Sequence, residues 1–197
     1  MTITIDRFQA ARRAMIDSQL RPSGVSEDFV LERMNAVPRE EFVPEGARGT
    51  AYMDRAIRLP DGGFLPAPLF HGLMLAEARP EAGDKVVVVD GGSGYLAELI
   101  RPLVASVESV SAADGAEGKV DTKDVDLLLI DGAIEQLPAE LAGVLAEGGR
   151  IVTGLLDRGV SRMATGRASG GNVALLPLVE TGVPRLSAFD RDAGWTF

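Results

Sequence analysis

The sequence predicts a doubly wound α/β fold, and three observations carry that reading. A continuous β-branched run at 85–89 reads as a strand buried on both faces. A Gly91-Gly92-Ser93-Gly94 turn follows it directly. From there to about residue 180, short apolar runs alternate with amphipathic stretches, the pattern of strand–helix units. At 197 residues the chain suits one domain with a full core. Residues 1–80 read as an N-terminal helical region on the substrate side, and 84–197 as the core.

The elements follow in order. Asp6 caps a first helix with Phe8, Ala11 and Met15 on one face, and Arg21-Pro22-Ser23-Gly24 breaks it. Ser26 caps a second helix carrying Phe29, Val30, Met34 and Val37, stopped by Pro38. Residues 39–68, rich in proline, read as loop with short strands, and Leu69, Leu73 and Ala76 mark the face of a third helix. After the glycine turn come a helix with Leu96, Leu99, Ile100 and Leu103 inward, a strand at 106–110 and a strand at 125–130. A helix at 138–146 is closed by Gly148-Gly149, which opens a strand at 150–153. An antiparallel pair, 158–167 and 172–178, ends the sheet.

Composition narrows the chemistry. Twenty basic residues against 29 acidic ones give a formal charge of −9, and no basic run exists to neutralise phosphates, so nucleic acid is not an expected partner. Cysteine is absent, which removes thiolate catalysis, disulfides and cysteine-ligated metals. His71 is the only histidine, and no metal site is expected. No apolar run approaches the roughly 20 residues needed to cross a bilayer, and the charged N-terminus is unlike a leader peptide, so the expected place is the cytoplasm.

A glycine turn after the first strand of such a sheet is where a nucleotide-like ligand binds, because free backbone N–H groups face it. Here the turn reads Val88-Val89-Asp90-Gly91-Gly92-Ser93-Gly94-Tyr95, and G-x-G-x-x-G is not present. Tight strand–helix packing explains the same glycines equally well.

Several motifs together resemble the protein-L-isoaspartate O-methyltransferase family. They are Met15-Ile16-Asp17-Ser18-Gln19-Leu20 with Gly24-Val25, Val37-Pro38-Arg39-Glu40-Glu41-Phe42-Val43-Pro44, and Ala51-Tyr52-Met53-Asp54. Gly92-Ser93-Gly94-Tyr95 is similar to the end of the family's S-adenosylmethionine loop. The stretch from Val125 to Ala133, with Leu137-Pro138 and Glu147-Gly148-Gly149-Arg150, resembles its later strand–helix–strand unit. The resemblance implies a Rossmann-like methyltransferase fold and S-adenosylmethionine as cofactor. It implies a protein or peptide as substrate or partner, and methyl transfer to isoaspartyl carboxylates. A carboxylate is already nucleophilic, so positioning supplies most of the acceleration and neither metal nor cysteine is needed.

Four departures fall in the functional parts. The family's earlier loop glycine aligns with Asp90, and its first-strand acid with Val88. The acid that holds the ribose hydroxyls aligns with Ser111, which forfeits a bidentate charged grip; Glu108 lies three residues away. Only thirteen residues, 112–124, remain where the family has a helix, a strand and a loop, with Asp114-Gly115 as a remnant of its adenine-bordering Asp-Gly. The family's hydroxyl pair before the third helix is replaced by Gly63-Phe64-Leu65-Pro66-Ala67-Pro68.

The resulting candidates for cofactor contact are Asp90, Gly91, Gly92, Gly94, Ser111, Asp114 and Asp131. His71 is the one catalytic candidate, set against a solvated or capping role. Asp121, Asp124 and Asp126 read as a solvated turn, and Trp195 and Phe197 as core or docking aromatics. Three functions compete: a working isoaspartyl methyltransferase, a family-derived protein acting through protein–protein contact, and a small-molecule methyltransferase or binder of another nucleotide. The departures favour the second, with methylation weakened or lost.

Overall fold

The fold follows from where the longest β-branched runs can be buried. The computed structural model describes residues 2–191. Helix α1 (Thr2–Met15) opens the chain and α2 (Asp28–Ala36) follows. A short hairpin, β1 (Ile57–Arg58) and β2 (Phe64–Leu65), leads into α3 (Pro68–Ala78). Strand β3 (Lys85–Asp90), α4 (Tyr95–Ile100), β4 (Ser106–Ser111) and α5 (Ala112–Ala116) come next. Then come β5 (Val125–Ile134), α6 (Ala139–Ala142), β6 (Leu145–Asp157), β7 (Val160–Ser169) and β8 (Asn172–Glu180).

Six strands form one sheet in the order β4-β3-β5-β6-β7-β8; the first four are parallel and the last two antiparallel to their neighbours. Residues Val86–Val89 and Leu127–Ile130 are fully buried, as strands covered on both faces require. Val86, Val88, Leu127 and Leu129 face a core built with the N-terminal helices and α3 and α4. Val87, Val89, Leu128 and Ile130 face a second core with Val120, Leu141, Leu186 and Phe189. This is the doubly wound, Rossmann-like sheet expected, shortened after β4. Between Ser111 and Val125 the chain makes only the five-residue α5 and a loop, so β4 is the sheet's edge.

Several expectations need correction. Helix α1 begins at Thr2, so Asp6 lies inside it, and the helical path runs on through Ile16–Leu20 and Arg21–Ser23 until Gly24 at φ +92° ends it. Helix α2 starts at Asp28, behind an extended Glu27, and Ser26 does not cap it. The face expected for α3 is only half-buried, and Phe70, His71, Met74, Leu75 and Ala78 point inward. An almost uniformly apolar helix gives periodicity little to report. Helix α6 keeps only four residues of the nine expected, because Leu145 to Gly149 join β6 and pair beside Val125. Trp195 and Phe197 lie outside the described residues.

The motifs that carried the resemblance do packing work. Gln19 donates to the Tyr52 carbonyl at 2.9 Å, and Arg12 donates to the Tyr52 hydroxyl at 2.8 Å. Tyr52 in turn donates to Glu40, which Arg12 also reaches at 3.3 Å. These bonds tie α1 to the segments after α2.

Candidate functional site

From β3 the chain steps outward to β4, then returns to the other side of β3 to form β5. The point where the winding reverses is the crevice at the carboxyl ends of β3 and β5, where open α/β sheets bind ligands. The expected site residues gather here. Asp90 ends β3 opposite Ser111 on β4, and Val89 pairs with Ile130, the residue before Asp131.

The glycine turn is built as a nest of amides, with Gly92 at φ +115° and Gly94 at φ +71°. Its occupant is already present. The Gly94 N–H donates to Asp90 Oδ1 at 2.9 Å, and the amides of Gly92 and Ser93 also favour the ionised carboxyl. Burial pushes the Asp90 carboxyl above its usual range; those three amides oppose the shift and nearby Asp131 adds to it. Asp90 therefore fills from within the place a ligand's anionic end would take.

Chain also closes on the turn from two sides. A Cβ on Gly91 would lie 2.5 Å from the Asp131 carbonyl, so only glycine lets the β3 and β5 loops touch. On the other side the β1–β2 hairpin docks, with Phe64 N–H donating to Gly91 O at 2.9 Å. The segment at 63–68 carries no hydroxyl, and Leu65 is fully buried in it.

Beneath these loops lies a buried triad. Arg39, His71 and Asp131 are 0%, 0% and 1% exposed. Arg39 Nη1 lies 3.2 Å from His71 Nδ1, and His71 Nε2 lies 2.8 Å from Asp131 Oδ1. A guanidinium can only donate, so Nδ1 accepts and Nε2 carries the proton toward Asp131. Arg39 also donates to the Ala51 carbonyl at 2.7 Å and to that of Pro66, and sits 5.0 Å over the Tyr95 ring. Burial lowers the pKa of Arg39, while Tyr95 and Asp131 hold the charge in place. Asp131 Oδ2 is buried without a hydrogen-bond partner among the described residues. The histidine expected to be solvated or capping is instead the hinge pin between α3 and β5. Sequence reading missed Arg39 and Tyr95 as its partners; the one signal was Arg39 as the single basic residue of the 37–44 motif.

At the crevice's outer end, Ser111 caps α5. Its Oγ accepts from Asp114 N–H at 3.1 Å and donates to Asp114 Oδ2 at 2.6 Å. Glu108 accepts from the amides of Asp121 and Thr122 at 2.8 and 2.7 Å. Burial pushes the Glu108 carboxyl up, but those amides and the Thr122 hydroxyl outweigh it and hold the carboxyl below its usual range. Both groups are spent on the shortened crossover. Among the described residues no group of three His, Asp or Glu could hold a metal.

A shallow depression of about 450 Å³ borders the turn at Gly92 and Ser93, walled by Phe42, Pro44 and Leu59. A larger one of about 690 Å³ lies at the opposite end of the sheet, between the end of α3 and strands β6 to β8.

The family model described as protein-L-isoaspartate(D-aspartate) O-methyltransferase matches residues 10–111. A Koribacter versatilis protein-L-isoaspartate O-methyltransferase is 34% identical over 169 residues, covering 74% of this chain and 76% of that protein. Protein-L-isoaspartate O-methyltransferase 2 of Marinobacter nauticus is 31% identical over 208 residues, covering 88% and 95%. Among solved structures, a Plasmodium falciparum protein described as a protein-L-isoaspartate O-methyltransferase, in complex with S-adenosyl-L-homocysteine, superposes with a TM-score of 0.71. It is 17% identical, with 89% of this chain and 97% of that one covered, a likeness of fold.

Proposed function

The chain belongs to the protein-L-isoaspartate O-methyltransferase family, and from that premise we propose that it is a member whose methyl transfer to isoaspartyl carboxylates is weakened or lost. S-adenosylmethionine is the cofactor class, supported by the solved neighbour that holds S-adenosyl-L-homocysteine. The residues of this chain fit that cofactor poorly. One observation carries the reading: the Asp90 carboxylate occupies the amides of the glycine turn. A cofactor carboxylate brought there meets a like charge, and the Gly94 donor is already taken.

Two further features support it. Ser111, in the place of the ribose acid, is committed to Asp114 and α5. The segment before α3 offers an isoaspartyl carboxylate no hydroxyl, and His71 is turned away into the buried triad. In this reading the whole chain is one domain, residues 1–80 forming the substrate side, and the protein acts in the cytoplasm through contact with a protein or peptide. Among the described residues no helix is long and apolar enough to cross a membrane.

The test is turnover of an isoaspartyl peptide with labelled S-adenosylmethionine. Methylation is expected to be absent or far below the ~1–10³ s⁻¹ usual for enzymes. Turnover inside that range would overturn the reading and restore the working methyltransferase as the function.

A further inference from the structure

The segment after β8 takes a path that the sheet alone does not require. Strand β8 is the far edge, yet from Glu180 the chain returns along the carboxyl ends of the parallel strands. Val183 crosses β6 at Gly154, where a Cβ would lie 3.1 Å from its side chain. Arg185 forms a parallel bridge with Ala133, just beyond Asp131. Ala133 N–H donates to Pro184 O at 2.7 Å, and Leu186 N–H donates back to Ala133 O at 2.9 Å. Leu186 sits on Gly132, where a Cβ would lie 2.5 Å away. Phe189, 1% exposed, then enters the apolar cluster of Val89 and Ile130, against which Ala112 and Ala116 of α5 also pack.

The segment thus touches Gly132 near the carboxyl end of β5 and reaches α5, whose Gly115 lies directly on Val89 of β3. We propose that residues 183–191 form an autoinhibitory strap, with Leu186 and Phe189 filling the part of the switch-point crevice vacated by the shortened crossover. A ligand with a flat ring must displace that strap to bind there. The proposal rests on the reading of a weakened cofactor pocket and supplies a second reason for the weakness.

The strap is held by a short set of contacts. Leu186 and Phe189 are its buried apolar anchors, Ala133 bonds it through two backbone hydrogen bonds, Gln136 donates to the Asp190 carbonyl at 3.1 Å, and Glu135 gathers the charged ties. Glu135 receives Arg185 at 2.9 Å and the Arg191 N–H at 2.9 Å, and Arg185 also pairs with Asp190 at 2.5 Å. Such partly exposed pairs stabilise weakly, so Leu186, Phe189 and the Ala133 hydrogen bonds carry most of the hold and the Glu135 pairs add to it.

The experiment measures S-adenosylhomocysteine binding by calorimetry, and amide exchange at Ala133 and Leu186, for the full chain, for a chain ending at Gly182, and for Glu135→Lys. The shortened chain is expected to bind at least about tenfold more tightly than the full chain, a change of about 1.4 kcal/mol. Glu135→Lys should gain less, exchange faster at Leu186, and return to the starting affinity when Arg185→Glu is added. Saturating ligand should speed exchange at Leu186 in the full chain. If both variants keep the full chain's affinity within about twofold, the strap does not gate the crevice and the proposal fails. Should the shortened chain not fold, unchanged affinity and exchange in Glu135→Lys overturn it by themselves. A full chain that binds at about 10 μM or tighter contradicts the weakened-pocket reading instead, whatever the variants do.

Discussion

Replacing Asp131 with alanine is expected to destabilise the protein by about 3–5 kcal/mol, the cost of leaving the buried Arg39 charge without its counter-charge. Asp131 supplies a negative charge to a core holding the Arg39 guanidinium, and its Oδ1 accepts the Nε2–H of His71. Without it, Arg39 keeps the Ala51 and Pro66 carbonyls and the Tyr95 ring but no counter-charge. Asp131→Asn retains an acceptor for His71 Nε2 and should lose markedly less. Chemical denaturation of both variants checks this. Equal losses for the two would mean that the charge on Asp131 is not what stabilises the site. A loss below about 1 kcal/mol for the alanine would mean that Arg39 does not depend on the Asp131 charge.

Opening the turn should have the opposite kind of effect. Asp90→Gly frees the amides of Gly92, Ser93 and Gly94, and Ser111→Glu restores a carboxylate at the end of β4. Together they are expected to tighten S-adenosylhomocysteine binding at least about tenfold, since a charge-assisted hydrogen bond contributes about 1.5–3 kcal/mol. The exchange has its own cost. Ser111 is the cap of α5, and losing such a cap removes about 1 kcal/mol of stability. The melting temperature should therefore fall while affinity rises. Calorimetry on the double variant reads the affinity, and no gain would show that the strap over α5 and β5 limits binding more than the turn does.

Most of the fold was legible because burial on both faces leaves continuous apolar runs, β-branched at 86–89 and leucine-rich at 127–130. The glycine turn fixed where the first helix of the core begins. The shortened crossover was legible as well, because thirteen residues cannot hold a helix, a strand and a loop. Less legible were features decided by distant partners. His71 and Asp131 lie 60 positions apart and Arg39 a further 32 from His71, so no local spacing announces the triad. Nothing local marks 183–191 either, since its two buried anchors, Leu186 and Phe189, are spaced like those of any short helical turn. Helix α6 was overextended because Leu145 suits a helix face and a strand alike, and pairing beside Val125 decides between them.

Asp90 shows how residue-level resemblance and geometry combine. As a departure in a motif it was ambiguous, since a side chain there can crowd a ligand or bond to it. The structure gives it a specific occupation, the Gly94 amide at 2.9 Å.

The measurement that bears most directly on the central claim is a calorimetric titration of the unaltered protein with S-adenosylmethionine. A pocket filled by Asp90, with its ribose acid replaced by Ser111, is expected to give a dissociation constant above about 100 μM, or roughly −5.5 kcal/mol. A constant of about 10 μM or tighter would mean that the pocket has been rebuilt rather than lost, and would contradict the account.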